Sequence, residues 1–130
     1  MGDRVLFQVV QKVEGQRTKV GPVVYGHWCG SRAPKICAKL RDRMASRPGD
    51  LEYTAARLVQ ECTATDPDGP LSFGLWNATK TLKPTDSHGD AGIVLVHLTS
   101  VGMIFECFGG YLETDEETGL PRERRETVEG

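Results

Sequence analysis

Residues 4 to 13 alternate, with Val5, Phe7 and Val9 on one side and Leu6, Gln8 and Val10 on the other. Successive side chains of a strand point to opposite faces, so this segment predicts a strand with one strongly apolar face. Glu14-Gly15-Gln16-Arg17 supplies a turn, and Thr18 to Trp28 returns as a second strand. Pro22 has no N–H to give to a ladder, which puts that strand at an edge or interrupts it there. Pro34 fits a first helical turn, and Ile36, Cys37, Leu40 and Met44 then recur at helical spacing as far as about Ser46, where Pro48-Gly49 stops the helix. Asp50 is an N-cap residue for a second helix with Leu51, Ala55, Leu58, Val59 and Cys62 on its inner stripe. Asp66-Pro67-Asp68-Gly69-Pro70 is a dense turn signal. Leu71 to Trp76 predicts a third strand, Asn77 to Asp90 a polar loop, and Ile93–Leu98 with Met103–Phe108 a hairpin about Thr99-Ser100-Val101. The order ββααβββ is that of an α+β domain, a two-layer sandwich of about five mainly antiparallel strands with a helix pair on one face.

Charge changes this picture at the C-terminus. The chain of 130 residues carries a formal charge of only −2. From Glu113 to Gly130, however, there are seven acidic residues and three arginines, and only Leu120 and Val128 are sizeable aliphatics. Such a composition offsets its own ordering entropy poorly, so residues 1–112 are expected to form the domain and 113–130 an acidic, disordered tail. The remainder is mildly basic, and its positive charge is concentrated in the first helix. Between Arg32 and Arg47 six basic residues face one acidic residue, Asp42. Lys35, Lys39 and Arg43 follow at i, i+4 and i+8 and line one stripe that could track a phosphate backbone or an acidic protein surface. An ordinary solvated helix face has the same composition.

Targeting and cysteine usage point to a cytoplasmic protein. No basic region followed by an apolar stretch opens the chain. The longest uncharged run, Ala91 to Phe105, falls short of the roughly 20 residues that a membrane span requires. Cys29, Cys37, Cys62 and Cys107 form no C-x-x-C pair, which disfavours zinc-ribbon and thioredoxin-like chemistry and suggests reduced, mostly buried thiols. No G-x-G-x-x-G, Walker-type Gly-Lys-Ser/Thr or G-x-S-x-G pattern occurs, so no cofactor is implied.

Two local constellations could still carry chemistry. In Tyr25-Gly26-His27-Trp28-Cys29-Gly30, an extended backbone would send His27 and Cys29 to one face, where the imidazole could activate the thiol or the two could share a metal. The bland alternative is a packed cysteine beside a structural histidine. In Asp86-Ser87-His88-Gly89-Asp90, Asp86, His88 and Asp90 have ligand types that zinc or a harder cation accepts, although a polar sheet connection has the same composition. His97, amid Val94, Val96 and Leu98, is expected to be a core histidine, and Trp28 and Trp76 offer anchor area or simply core.

The strand Val23-Val24-Tyr25-Gly26-His27-Trp28-Cys29-Gly30, followed by the helix opening Gly49-Asp50-Leu51-Glu52-Tyr53-Thr54-Ala55-Ala56-Arg57-Leu58, resembles uncharacterised small proteins of phage, prophage and actinobacterial or proteobacterial genomes. Those share a strand-ending His-Trp-x-Gly signature and a D-x-x-Y-x-A-R helix, and the hairpin from Gly92 to Tyr111 fits the same layout. The resemblance covers about residues 20 to 112. It implies no reaction. It implies a small accessory protein of a mobile element that binds a macromolecule, and under it Arg57, one turn after Tyr53, is a surface contact or simply covers the sheet edge. A small or acidic residue is usual in those proteins where this chain has Cys29, so a thiol role would be particular to this chain.

The expected function is therefore a non-enzymatic module that binds a protein or nucleic acid, and no membrane, through Lys35, Lys39, Arg43, Trp28 and Arg57. One alternative is a small enzyme using His27 and Cys29 or a metal. Another is a homo-oligomer: Ile93 and Leu95 oppose Val94, Val96 and Leu98, so the 93–108 hairpin is apolar on both faces and one is left for a second subunit.

Overall fold

The computed structural model describes residues 2–65 and 72–124. Within them β1 (Val5–Gln11), β2 (Lys19–Gly26), α1 (Ala33–Met44), α2 (Leu51–Thr65), β3 (Phe73–Trp76), β4 (Gly92–Thr99) and β5 (Gly102–Phe108) follow in the predicted order. The expected turn at Asp66–Pro70 and the start of the third strand at Leu71 lie outside the described residues. The fold is α+β, with a five-stranded sheet in the order β3-β2-β1-β4-β5. Three of its ladders are antiparallel, but β1 and β4 pair in parallel, Val5 opposite Gly92 and Gln11 opposite Leu98.

Local chemistry accounts for most element ends. Pro34 lies in the first turn of α1, where its missing N–H costs nothing. Gly49, at φ 77°, turns the chain out of α1 in a conformation that other residues avoid. Asp50 then caps α2, its carboxylate accepting from the Tyr53 amide at 3.1 Å and its carbonyl from Thr54. Pro22 is accommodated by a break in register. Val10 pairs with Val20 but Gln8 pairs with Val23, so Gly21 and Pro22 bulge opposite Val9 and no ladder bond is asked of the proline.

The sheet has two apolar faces. Val5, Phe7, Val9, Val24, Val94, Val96, Leu98 and Phe105 pack beneath the inner stripes of α1 and α2. On the other face Leu6, Val10, Val23, Ile93 and Leu95 form a second buried cluster, covered by Ala78 and Leu82 of the 77–90 segment. This cover corrects the premise of the homo-oligomer alternative, because Ile93 and Leu95 are shielded by the chain's own loop. Gln8, fully buried in the middle strand, holds that loop in place. Its Nε2 donates to the Lys80 carbonyl at 3.0 Å and its Oε1 accepts from the Leu82 amide at 2.8 Å. Replacing Gln8 by leucine keeps the volume but leaves the amide of Leu82 without a partner. The expected cost is about 1–3 kcal/mol, with faster amide hydrogen exchange at Leu82, readable by NMR.

The expected disordered tail is corrected over residues 113–124. β6 (Leu112–Thr114) and β7 (Pro121–Glu123) form an antiparallel pair. Leu112 and Pro121 are buried, and Leu120 packs against the main core. Local bonds order the acidic stretch: Arg122 pairs with Glu113 at 2.7 Å, and in the turn the Asp115 carboxylate accepts from the Glu117 amide and its backbone carbonyl from the Gly119 amide. The pair lies beside α1, where Arg41 donates to the Thr118 carbonyl at 2.8 Å. The rest of the expected tail, residues 125–130, lies outside the described residues.

Candidate functional site

The parallel β1–β4 pairing brings four chain segments together at one end of the sheet. The starts of β1 and β4 and the ends of β2 and β5 meet there. Backbone bonds bind them closely: the Asp3 amide donates to the His27 carbonyl, the Gly30 amide to Asp3, the Ala91 amide to Arg4 and the Tyr111 amide to Asp90, all within 3.1 Å. Glycine permits this approach. A Cβ on Gly110 would lie 2.4 Å from the Ala91 carbonyl carbon, and one on Gly30 would lie 2.5 Å from Ala91 Cβ.

Side chains complete the framework. The Asp3 carboxylate accepts from the Ser31 amide at 2.8 Å and from the Tyr111 hydroxyl at 2.5 Å. Burial, and then the neighbouring Asp3, push the Tyr111 phenol up from its ordinary range. Arg4 donates from Nε to Asp90 at 2.9 Å and from a terminal nitrogen to the His88 carbonyl at 3.0 Å. The Arg4 side chain, and then the Arg4 backbone amide, which also donates to this carboxylate at 3.0 Å, hold the Asp90 carboxyl below the usual carboxylate range.

On this framework sits a cluster of rings. Tyr25 is at its centre, with ring centroids 6.1 Å from His27, 6.3 Å from Trp76 and 5.3 Å from His88. The Tyr25 hydroxyl and His27 Nδ1 share a 2.7 Å hydrogen bond, and the edge of His27 meets Trp28 at 4.4 Å and 86°. Trp28 and Trp76 are 46% and 42% exposed, unusually open for tryptophan. The rings come from two stretches far apart in sequence: the end of β2 with the bend after it, and β3 with the 77–90 loop that continues it.

The sequence expectations fare unevenly here. His27 and Cys29 are not brought to one face. β2 ends at Gly26, and Cys29 has φ −108° and ψ 10°, so the period-two alternation stops before the pair is complete. His27 joins Tyr25, whereas Cys29 is buried in the helix-side core beside Cys62. Asp86, His88 and Asp90 do not converge either. Asp86 accepts from the Lys83 amide, His88 packs on Tyr25 and Asp90 holds Arg4. Among the described residues, no group of three or more His, Cys, Asp or Glu side chains is arranged to hold a metal ion. His97 is not a core histidine. Its Nε2 meets a Glu106 oxygen at 2.8 Å on the sheet surface.

The basic stripe is only partly available. Lys35 and Lys39 are exposed, but Arg43 forms an ion pair with Glu61, whose side chain is only 3% exposed. Arg57 is half-buried, and its Nε has no hydrogen-bond partner among the described residues. Tyr25 is the residue that sequence reasoning missed. The signal was present, because Tyr25 and His27 are two apart on a strand and therefore share a face.

No known family model matches the chain, and no curated protein or solved structure is detectably similar to it. Among the described residues, no helix is long and apolar enough to cross a membrane.

Proposed function

We propose that this protein is a non-catalytic binding module that docks a protein partner through the Trp28–Tyr25–Trp76 corner, in keeping with a small accessory protein of phage or prophage type. The observation that carries the proposal is the convergence of five rings from two separate stretches of chain on a framework closed by backbone bonds and glycines, with both indoles left open. Large rings held rigidly lose little entropy when a partner covers them, and tryptophan and tyrosine are enriched among the residues that dominate interface energies. A protein partner is favoured over nucleic acid because the rings tilt against one another, at 34° to 86°, instead of presenting parallel faces for stacked bases. The exposed Lys35 and Lys39 of the basic helix, which packs on the other face of the sheet from Tyr25, then steer association at longer range, which affects rate and salt dependence more than affinity.

The test is affinity capture from bacterial lysate with the wild-type chain, followed by titration of the recovered partner. Trp28→Ala or Trp76→Ala should weaken binding tenfold or more, since an interface anchor is typically worth about 2 kcal/mol or more. Paired charge reversal of Lys35 and Lys39 should have a smaller effect that vanishes at high salt. Retained affinity in both tryptophan variants would overturn the assignment, and so would a captured signal that disappears on nuclease treatment.

A further inference from the structure

At the end of β4 away from the aromatic corner, the last turn of α1, the α1–α2 turn and the β4–β5 hairpin enclose a cavity of about 300 Å³. That volume is at the small end of the range for small-molecule sites, roughly 300–1,000 Å³. Met44, Leu98 and Met103 give it apolar walls, and the two thioethers can adjust to an irregular guest. Arg41 and Arg47 give it charge. Each is held by the fold. Arg41 donates to the Thr118 carbonyl at 2.8 Å, and the Arg47 guanidinium lies 3.7 Å from the centroid of the Tyr53 ring with Nε 3.3 Å from Asp50. The two differ in what they have left to offer. Asp50 already balances Arg47, whereas among the described residues no carboxylate pairs with Arg41 and its side chain bonds only to a neutral carbonyl. The threonine hydroxyls of the wall are spent, Thr54 donating to the Asp50 carbonyl and Thr99 to that of Gly102. Arg41 is therefore the donor left for a guest.

We propose that this cavity binds a small organic monocarboxylate, its short apolar body between Met44, Leu98 and Met103 and its carboxylate on Arg41. With Nη1 engaged at Thr118, Nε and Nη2 of Arg41 still present the side-on fork that receives both oxygens of a carboxylate. Charge narrows the class further. An uncharged guest would cover the guanidinium without pairing it, at a cost in desolvation. A phosphate monoester would bring a second negative charge to the C-terminal end of α1, where free carbonyls make the helix pole negative. A singly charged acid meets both conditions. Once bound, it would touch α1, the α1–α2 turn and the β4–β5 hairpin together and hold the three against one another.

The test is an NMR titration of the isotope-labelled protein with phenylacetate and hexanoate, and with phenylethanol and hexanol as their uncharged counterparts. At least one acid should move the amide signals of the α1–α2 turn and the β4–β5 hairpin saturably while the Trp28 and Trp76 indole signals stay in place. It should bind about tenfold or more tighter than its alcohol. Arg41→Gln should abolish that preference and leave the affinity for the alcohol unchanged, and Arg41→Lys should keep part of the preference. Ala45→Phe, at an exposed position in the cavity wall, should block acid and alcohol alike. Equal affinities for acid and alcohol would overturn the proposal, and so would a preference that survives Arg41→Gln. Tighter binding of phenyl phosphate than of phenylacetate, or no saturable shift at the cavity with either acid, would do so equally. None of these outcomes depends on whether the aromatic corner docks a partner, because the two sites are read by different signals.

Discussion

Arg43→Ala is expected to lower the unfolding free energy by about 2–4 kcal/mol, a large share of the stability of a domain of this size. The reason lies on the other helix. Glu61 on α2 is almost fully buried, and Arg43 of α1 is its ion-pair partner. Removing the guanidinium leaves a carboxylate in the core with nothing to offset its desolvation. The lower end of the range applies if water replaces Arg43, whose own side chain is 58% exposed. Urea denaturation gives the number, and Glu61→Gln in the Arg43→Ala background should recover much of it by removing the orphaned charge. An unchanged midpoint for Arg43→Ala would mean that the pair contributes nothing. The result bears on function as well. Reversing all three charges of the Lys35, Lys39, Arg43 stripe would unfold the helix pair and imitate a loss of binding, so only the two lysines probe the surface.

Gly92→Ala is expected to destabilise by about 3 kcal/mol or more. Gly92 opens β4 at φ 97°, which is unfavourable for any other residue, and an added Cβ would lie 2.5 Å from the Phe108 carbonyl oxygen and 2.6 Å from the Gly110 nitrogen. Both neighbours are backbone and cannot step aside without opening the junction of β4 with the β5–β6 connection. Gly89→Ala separates the two causes. Gly89 has a similar φ of 102°, but a Cβ there meets nothing within 4 Å. Its cost should be the conformational term alone, roughly 1 kcal/mol. Thermal unfolding of the two variants should therefore differ by several degrees, and equal midpoints would show that the close packing at Gly92 is not required.

Local patterns carried much of the fold. Period-two alternation located β1, β4 and β5, helical spacing with Pro34, Gly49 and Asp50 located α1 and α2, and Pro22 marked a real interruption of β2. These features depend on neighbours a few residues apart. What stayed hidden depends on distant partners. Nothing local distinguishes Gln8 from any strand glutamine until the 77–90 loop folds onto it. The 112–123 strand pair reads as a solvated acidic stretch because its anchors are few and its charges find partners only after it turns. The candidate site divides the same way. Trp28, His27, Trp76 and His88 could each be singled out as residues, but their assembly about Tyr25 requires the sheet. The expected His27–Cys29 pairing failed on a single local event, the end of β2 at Gly26.

The parallel contact between β1 and β4 has a consequence for how the chain acquires its structure. β1 is the middle strand of the sheet and comes before every other strand described, yet its neighbour on one side begins only at Gly92. Until β4 emerges, the β1–β2 hairpin has an unpaired central edge and the side chains of Leu6, Phe7 and Val9 without their final cover. Contacts of such sequence separation slow folding and prolong the exposure of sticky edges. The domain can therefore complete its core only once β4 is available, and until then the elements that precede it must be kept from aggregating.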